Sequence, residues 1–281
     1  MRKLDRLVWA AGMVFTAYGV RVGVRVSDAA ALARVAERLP PGWKPSTSPA
    51  VSKLYSLVTG GGEVKGRVRR FRLLYSGARL AGRTLDEEAI YGMLESDLQL
   101  YVAERAPRRV FVHAGVVGWK GRAILLPGRS LSGKTTLVAE LVRAGAEYYS
   151  DEYAVLDAEG RVHPYARPLA VREGEGLAQT RRAVEEFGGR AGKKALPVGL
   201  VVVSRYERGG LWRPRRLSPG EGVLEMLANT VSARRAPARA LAALSEVAAR
   251  TVILAGARGE ASQAAASILS RLGDAESSVR S

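Results

Sequence analysis

Apolar and polar positions alternate with a period of two through Val20, Val22, Val24 and Val26, inside a β-rich stretch from Val14 to Val26, and this predicts strand. A helix is expected next, capped by Ser27 or Asp28 and running to Arg38, where Leu39-Pro40-Pro41-Gly42 ends it. From Thr84 or Asp86 the spacing becomes helical. Ile90, Met93, Leu94, Leu98 and Tyr101 recur on one stripe until Ala106-Pro107 stops the run, and core packing is the role expected of its large side chains. Beyond Arg108 the rhythm changes. Val110 to Val117 and Ala123 to Leu126 read as buried strands and Lys134 to Ala144 as a helix. Tyr153 to Leu156, entered through Tyr148-Tyr149, reads as a strand, and so does Val198 to Ser204. Helical patterns around Gly222 to Asn229, Ala236 to Ala249 and Glu260 to Leu272 enclose a short apolar strand from Thr251 to Leu254. The chain therefore divides into a smaller α+β N-terminal region, 1–107, and a layered α/β domain, 108–281.

Composition narrows the chemistry. The 281 residues include no cysteine, which excludes disulfides, thiolate zinc sites, Fe–S clusters and a cysteine nucleophile. No apolar run reaches the length of a membrane span, so a membrane partner is not expected. Met1 to Arg6 is basic and Leu7 to Val20 mostly apolar, an outline shared with signal peptides. Asp5 and the lack of a small-residue cleavage site favour a structured segment and a cytoplasmic location. Lysine and arginine outnumber the acids 44 to 27, a net charge of +17. The excess is spread over both halves, and its densest cluster, Lys65, Arg67, Arg69, Arg70 and Arg72, alternates with Val68 and Phe71 as on the solvated face of a strand. Nucleic acid is accordingly the least supported partner.

One segment carries chemistry by itself. Gly128-Arg129-Ser130-Leu131-Ser132-Gly133-Lys134-Thr135 is a complete G-x-x-x-x-G-K-[ST], entered from a hydrophobic strand and left through an amphipathic helix. A loop with glycines at both ends wraps an anion in backbone N–H groups, and the helix that follows adds its positive end. Gly128, Arg129, Ser130, Leu131, Ser132, Gly133, Lys134, Thr135 and Thr136 are thus the expected nucleotide-binding residues, with Lys134 neutralising phosphate and Thr135 placing a hydroxyl on Mg²⁺. The strand ending Val203-Ser204-Arg205 offers no carboxylate. An acidic pair, Asp151-Glu152, instead follows Tyr148-Tyr149-Ser150 just after the helix that leaves the loop, and with Thr135 it makes up the expected metal ligands.

The spacing resembles the HPr kinase/phosphorylase family and its HPr-kinase-related relatives. In that family a His-Gly strand leads into the phosphate loop and an acidic pair follows after one helix. Here His113-Ala114-Gly115 precedes Gly128 and Ser150-Asp151-Glu152 follows Lys134, while Leu131, Arg129 and Glu152 depart from the family's glycine, frequent acid and second aspartate. The resemblance implies a phosphoenolpyruvate-carboxykinase-like P-loop kinase domain using ATP and Mg²⁺. It implies Asp151 as proton-accepting base, Lys134 and His113 beside it, and a hydroxyl-bearing acceptor, serine first among protein, peptide and small-molecule hydroxyls. A nucleotide-gated binding module with slow ATPase or GTPase activity is the alternative, and a homo-oligomer stays open.

Overall fold

In the computed structural model, which describes residues 8–59, 71–128, 132–172 and 179–277, the valine alternation near the start becomes a hairpin. Strand β1 (Ala11–Ala17) turns at Tyr18 and Gly19, both at positive φ, into β2 (Val20–Val26). Two successive positive φ values give the turn the twist that antiparallel strands require. Helix α1 (Ala31–Ala36) is shorter than the sequence predicts. Asp28 Oδ1 accepts from the Ala30 N–H at 3.0 Å and so closes a local turn in place of capping a helix. Then come β3 (Lys44–Pro45), β4 (Lys53–Val58), β5 (Arg72–Ser76), β6 (Arg79–Thr84) and α2 (Glu87–Arg105). The sheet order is β3-β1-β2-β4-β5-β6, with β2 and β4 parallel.

Helix α2 is capped by Asp86, which accepts from the Glu88 N–H at 2.9 Å. Its Ile90, Leu94 and Leu98 are buried with Tyr55, Leu57 and Leu74 of the sheet. The buried stripe is turned slightly from the expected one. Tyr91 and Val102 join the core and Met93 is 40% exposed. Of the basic cluster, Lys65, Arg67, Arg69 and Arg70 lie outside the described residues. Arg72 opens β5 and pairs with Glu87 at 2.8 Å, while Arg34 and Arg38 bind Glu87, Glu88 and Glu95. These arginines tie elements together and so do not form a free anion groove.

The second unit contains β7 (Val110–Trp119), β8 (Arg122–Pro127), α3 (Lys134–Arg143), β9 (Glu147–Ser150) and β10 (Tyr153–Leu156). It continues with β11 (Arg161–His163), β12 (Leu169–Arg172), β13 (Gln179–Arg182), β14 (Leu196–Tyr206) and β15 (Arg215–Arg216). Helices α4 (Pro219–Leu227) and α5 (Pro237–Ala249), strand β16 (Val252–Arg258) and helix α6 (Ala261–Ser277) complete it. The chain divides into two compact units, Met1–Pro107 and Arg108–Ser281.

The main sheet of this unit runs β11-β10-β7-β8-β14-β16-β15, with β9 also paired to β7. β8, β14 and β16 are parallel, whereas β7 and β15 run against them. On one face α3 and α6 bury Leu137, Val138, Leu141, Ile268 and Leu272 against Ile124, Leu126, Leu200 and Val202. On the other, α4 and α5 bury Met226, Ala240, Leu244 and Val247 against Val112, Leu125 and Val201. The result is a mixed α/β architecture with helices on both faces of a sheet. Among the described residues there are six α-helices, none long and apolar enough to cross a membrane.

Candidate functional site

Strand β8 delivers the phosphate-loop motif to the start of α3. Gly128 follows the strand, its N–H donating 3.1 Å to the His113 carbonyl of β7. Arg129, Ser130 and Leu131 lie outside the described residues. The far end of the loop returns close to its start, because a Cβ at Gly128 would stand 2.9 Å from Ser132 Oγ and 3.6 Å from Lys134 Cδ. Gly133 precedes the helix at φ 78°, a left-handed conformation that glycine adopts without strain. Lys134, Thr135 and Thr136 then form the first turn. That turn has no acidic residue and no side-chain cap, so its positive end is not neutralised from within the helix.

The acid pair comes back to this point through a sheet irregularity. Val116 pairs with Ser150 but Val117 pairs with Tyr148, so Tyr149 is an extra residue, a bulge of the kind found beside active sites. Strand alternation would send Tyr148 and Asp151 to opposite faces. The bulge returns them to the same one, and Tyr148 packs with the α3 face while Tyr149 packs with the other. Between the pairings of Val116 with Ser150 and His113 with Tyr153, Asp151 falls across from Gly115. A Cβ there would come within 2.6 Å of Val138 Cγ2 on α3, so glycine allows the helix to lie close.

Asp151 is held by three donors. Thr135 Oγ1 donates to Oδ2 at 3.1 Å, the Ala170 N–H donates to Oδ2 at 3.3 Å, and Tyr148 Oη donates to Oδ1 at 2.9 Å. Burial raises its pKa above the ordinary carboxylate range, and these hydrogen bonds oppose the rise. Glu152 has a more open setting. Its side chain is 41% exposed and pairs with Arg167 at 3.1 Å. Burial, then the neighbouring Asp151 charge, pushes its pKa up to about 7 against the pull of Arg181 and Lys134. Lys134 is lowered by burial and supported by the charges of Asp151 and Glu152. His113 is lowered by burial and then by Lys134, which favours the neutral imidazole, and its ring lies 4.8 Å from that of Tyr153.

Thus Lys134, Thr135, Asp151, Glu152 and His113 share one neighbourhood. Thr136 is exposed on a different side of the helix start. Among the described residues no group of three His, Cys, Asp or Glu side chains forms a metal cluster. Thr135 and Asp151 nevertheless present hard oxygens 3.1 Å apart, with Glu152 adjoining. Such a partial set suits Mg²⁺, which takes one or two carboxylates and completes its shell with phosphate oxygens and water.

Three contributors escape a reading by motif. Tyr148 reaches Asp151 only because of the bulge. Arg167 comes from a later loop, and Arg258 comes from the end of β16, where its Nη2 donates 3.0 Å to the Gly133 carbonyl. The tyrosine pair Tyr148-Tyr149, one residue ahead of the acids, is the one signal of these that the sequence displays. His163 forms a separate pair with Asp157 at 2.8 Å on the β10–β11 hairpin. Neither a protein-family model nor a curated protein matches the chain.

Proposed function

We propose that the unit 108–281 binds a nucleoside triphosphate with Mg²⁺ and transfers its terminal phosphoryl group to a hydroxyl acceptor, in a phosphoenolpyruvate-carboxykinase-like P-loop arrangement. ATP is the proposed donor, and serine of a protein or peptide leads the candidate acceptors. The observation that carries this reading is the 3.1 Å hydrogen bond from Thr135 to Asp151, which joins the acid pair to the phosphate loop. An acidic pair on an ordinary exposed turn would have no reason to meet the second residue of that helix.

The residues divide the work. Loop N–H groups and Lys134 attract the phosphate oxygens and hold the terminal group in line with the acceptor. Thr135 and Asp151 would hold Mg²⁺, which when bound offsets negative charge on the phosphates. Glu152 takes the proton of the acceptor hydroxyl as its oxygen bonds to phosphorus and the bond to the departing diphosphate breaks. The resemblance assigns that proton to Asp151. Glu152 is the better placed of the two, because Asp151 already accepts three hydrogen bonds whereas Glu152 is more exposed and titrates close to neutrality. Arg167 orients Glu152, and His113, neutral and close to Lys134, adds no charge to the pocket.

The test is transfer of labelled γ-phosphate from Mg-ATP to hydroxyl acceptors, including a proteome extract. Lys134→Ala should weaken nucleotide binding about 100-fold. Glu152→Gln should retain binding and lose about 10²–10⁴-fold in turnover. Nucleotide hydrolysis with no acceptor labelled, and no effect of Glu152→Gln, would instead identify a nucleotide-gated module.

A further inference from the structure

The phosphate loop has two sides. In the sheet order β7, with β9 and β10, lies on one side of β8, while β14 and β16 lie on the other. The acid pair belongs to the first side. On the second is an open cavity of about 540 Å³, lined by Ser132, Gly133 and Thr136 at the helix start and by Tyr206, Arg258 and Glu260 from the ends of β14 and β16. A terminal phosphate facing the acids leaves the rest of a nucleotide to extend toward this opposite side.

The cavity's chemistry suits a nucleoside better than a second anion. Tyr206 is 47% exposed, leaving ring surface for a flat partner. Its hydroxyl donates 3.1 Å to Glu260 Oε1, and that carboxylate would repel a phosphate. Two arginines line the cavity as well, and neither offsets this as a free cation would: Arg205 is paired with Glu207 at 2.6 Å, and Arg258 is engaged by backbone carbonyls. It is buried, its Nη1 donates 3.1 Å to the Gly259 carbonyl, and its Nη2 holds the Gly133 carbonyl. Its guanidinium lies 5.7 Å from the Tyr206 ring centroid, so one side chain links the cavity wall to the last glycine of the loop.

We propose that this cavity takes the nucleoside of the bound triphosphate, a ribonucleoside whose base stacks on the Tyr206 ring and whose ribose hydroxyls donate to the Glu260 carboxylate. The inference rests on the triphosphate reading above. An aromatic platform accepts the face of any base, and a carboxylate, which only accepts, complements hydroxyl donors.

Calorimetric titration of the full chain with Mg-ATP and with Mg-tripolyphosphate tests it. Wild type should bind Mg-ATP about tenfold or more tightly than Mg-tripolyphosphate. Tyr206→Ala should erase that difference by weakening ATP alone, with tripolyphosphate affinity serving as the control for folding, and Tyr206→Phe should restore it. Glu260→Ala should remove the preference for ATP over its 2′,3′-dideoxy form. Equal affinity of wild type for both triphosphates, or variants that weaken both alike, would overturn the assignment while leaving the phosphate site intact. Failure of both compounds to bind would refute the triphosphate reading itself.

Discussion

Two pairs of a buried tyrosine with an aspartate, one in each unit, are built alike and keep different company. In the first unit Tyr55 Oη donates to Asp97 Oδ2 at 2.7 Å, and Ser76 Oγ donates to the same oxygen at 3.0 Å. In the second, Tyr148 Oη and Thr135 Oγ1 donate to the two oxygens of Asp151. Burial, and then the carboxylate, raises both tyrosines far above their ordinary pKa. Asp97 ties strands β4 and β5 to helix α2, with Arg79 3.9 Å away. Asp151 has Glu152 beside it, Lys134 within electrostatic reach, and the uncapped start of α3 in contact. A hydroxyl–carboxylate pair of this kind is thus a structural tie by default. It becomes a candidate for chemistry where a second acid, a half-buried lysine and a helix N-terminus converge on it.

The sharpest division between the pairs should come from removing their charges. Asp151→Asn is expected to lower phosphoryl transfer by about 10²–10³-fold. Asp97→Asn should leave transfer per folded molecule unchanged and lower the melting temperature. Equal losses of activity would dissolve the distinction. A smaller effect follows from removing the hydroxyls. Tyr148→Phe should destabilise by about 1–3 kcal/mol in denaturant titrations, because it leaves Asp151 one donor short, and Tyr55→Phe should cost less, because the Asp97 side chain is 34% exposed and water can replace the lost donor. Only Tyr148→Phe should also reduce kcat.

The smallest effect concerns protons. Glu152 releases its proton near 4.5, its ordinary value, when unfolded, and near 7 when folded. Folding therefore takes up a proton between these values. The stability this provides is fully present below about pH 4.5 and is lost as pH rises through about 7. With the side chain 41% exposed, solvent screening keeps the change to about 1 kcal/mol or less. Melting curves of metal-free protein across that window should show it, and Glu152→Gln should flatten it. Turnover should move the other way, rising with pH through neutrality as Glu152 loses its proton.

What was legible in the sequence was local. The Gly128-to-Thr135 spacing, the period of α3 and the apolar runs of β7, β8, β10 and β14 each follow from neighbours along the chain. The acids' approach to Thr135 depends on the Tyr149 bulge, which a period-two pattern conceals. Arg258 reaches Gly133 across 125 residues, and no spacing rule ties them. The short strands β11, β12, β13 and β15 have too few residues to display a period, yet the β12 backbone supplies a donor to Asp151. Met93 lay on the apparent helical stripe, but tertiary packing set the buried face one position around, at Tyr91 and Leu94.

The most direct test of the central claim is a crystal structure with Mg²⁺ and a nonhydrolysable ATP analogue. The terminal phosphate should lie between Lys134 and the acid pair, with the metal on Thr135 and Asp151. A nucleotide whose terminal phosphate points away from Asp151 and Glu152, with no metal between them, would contradict it.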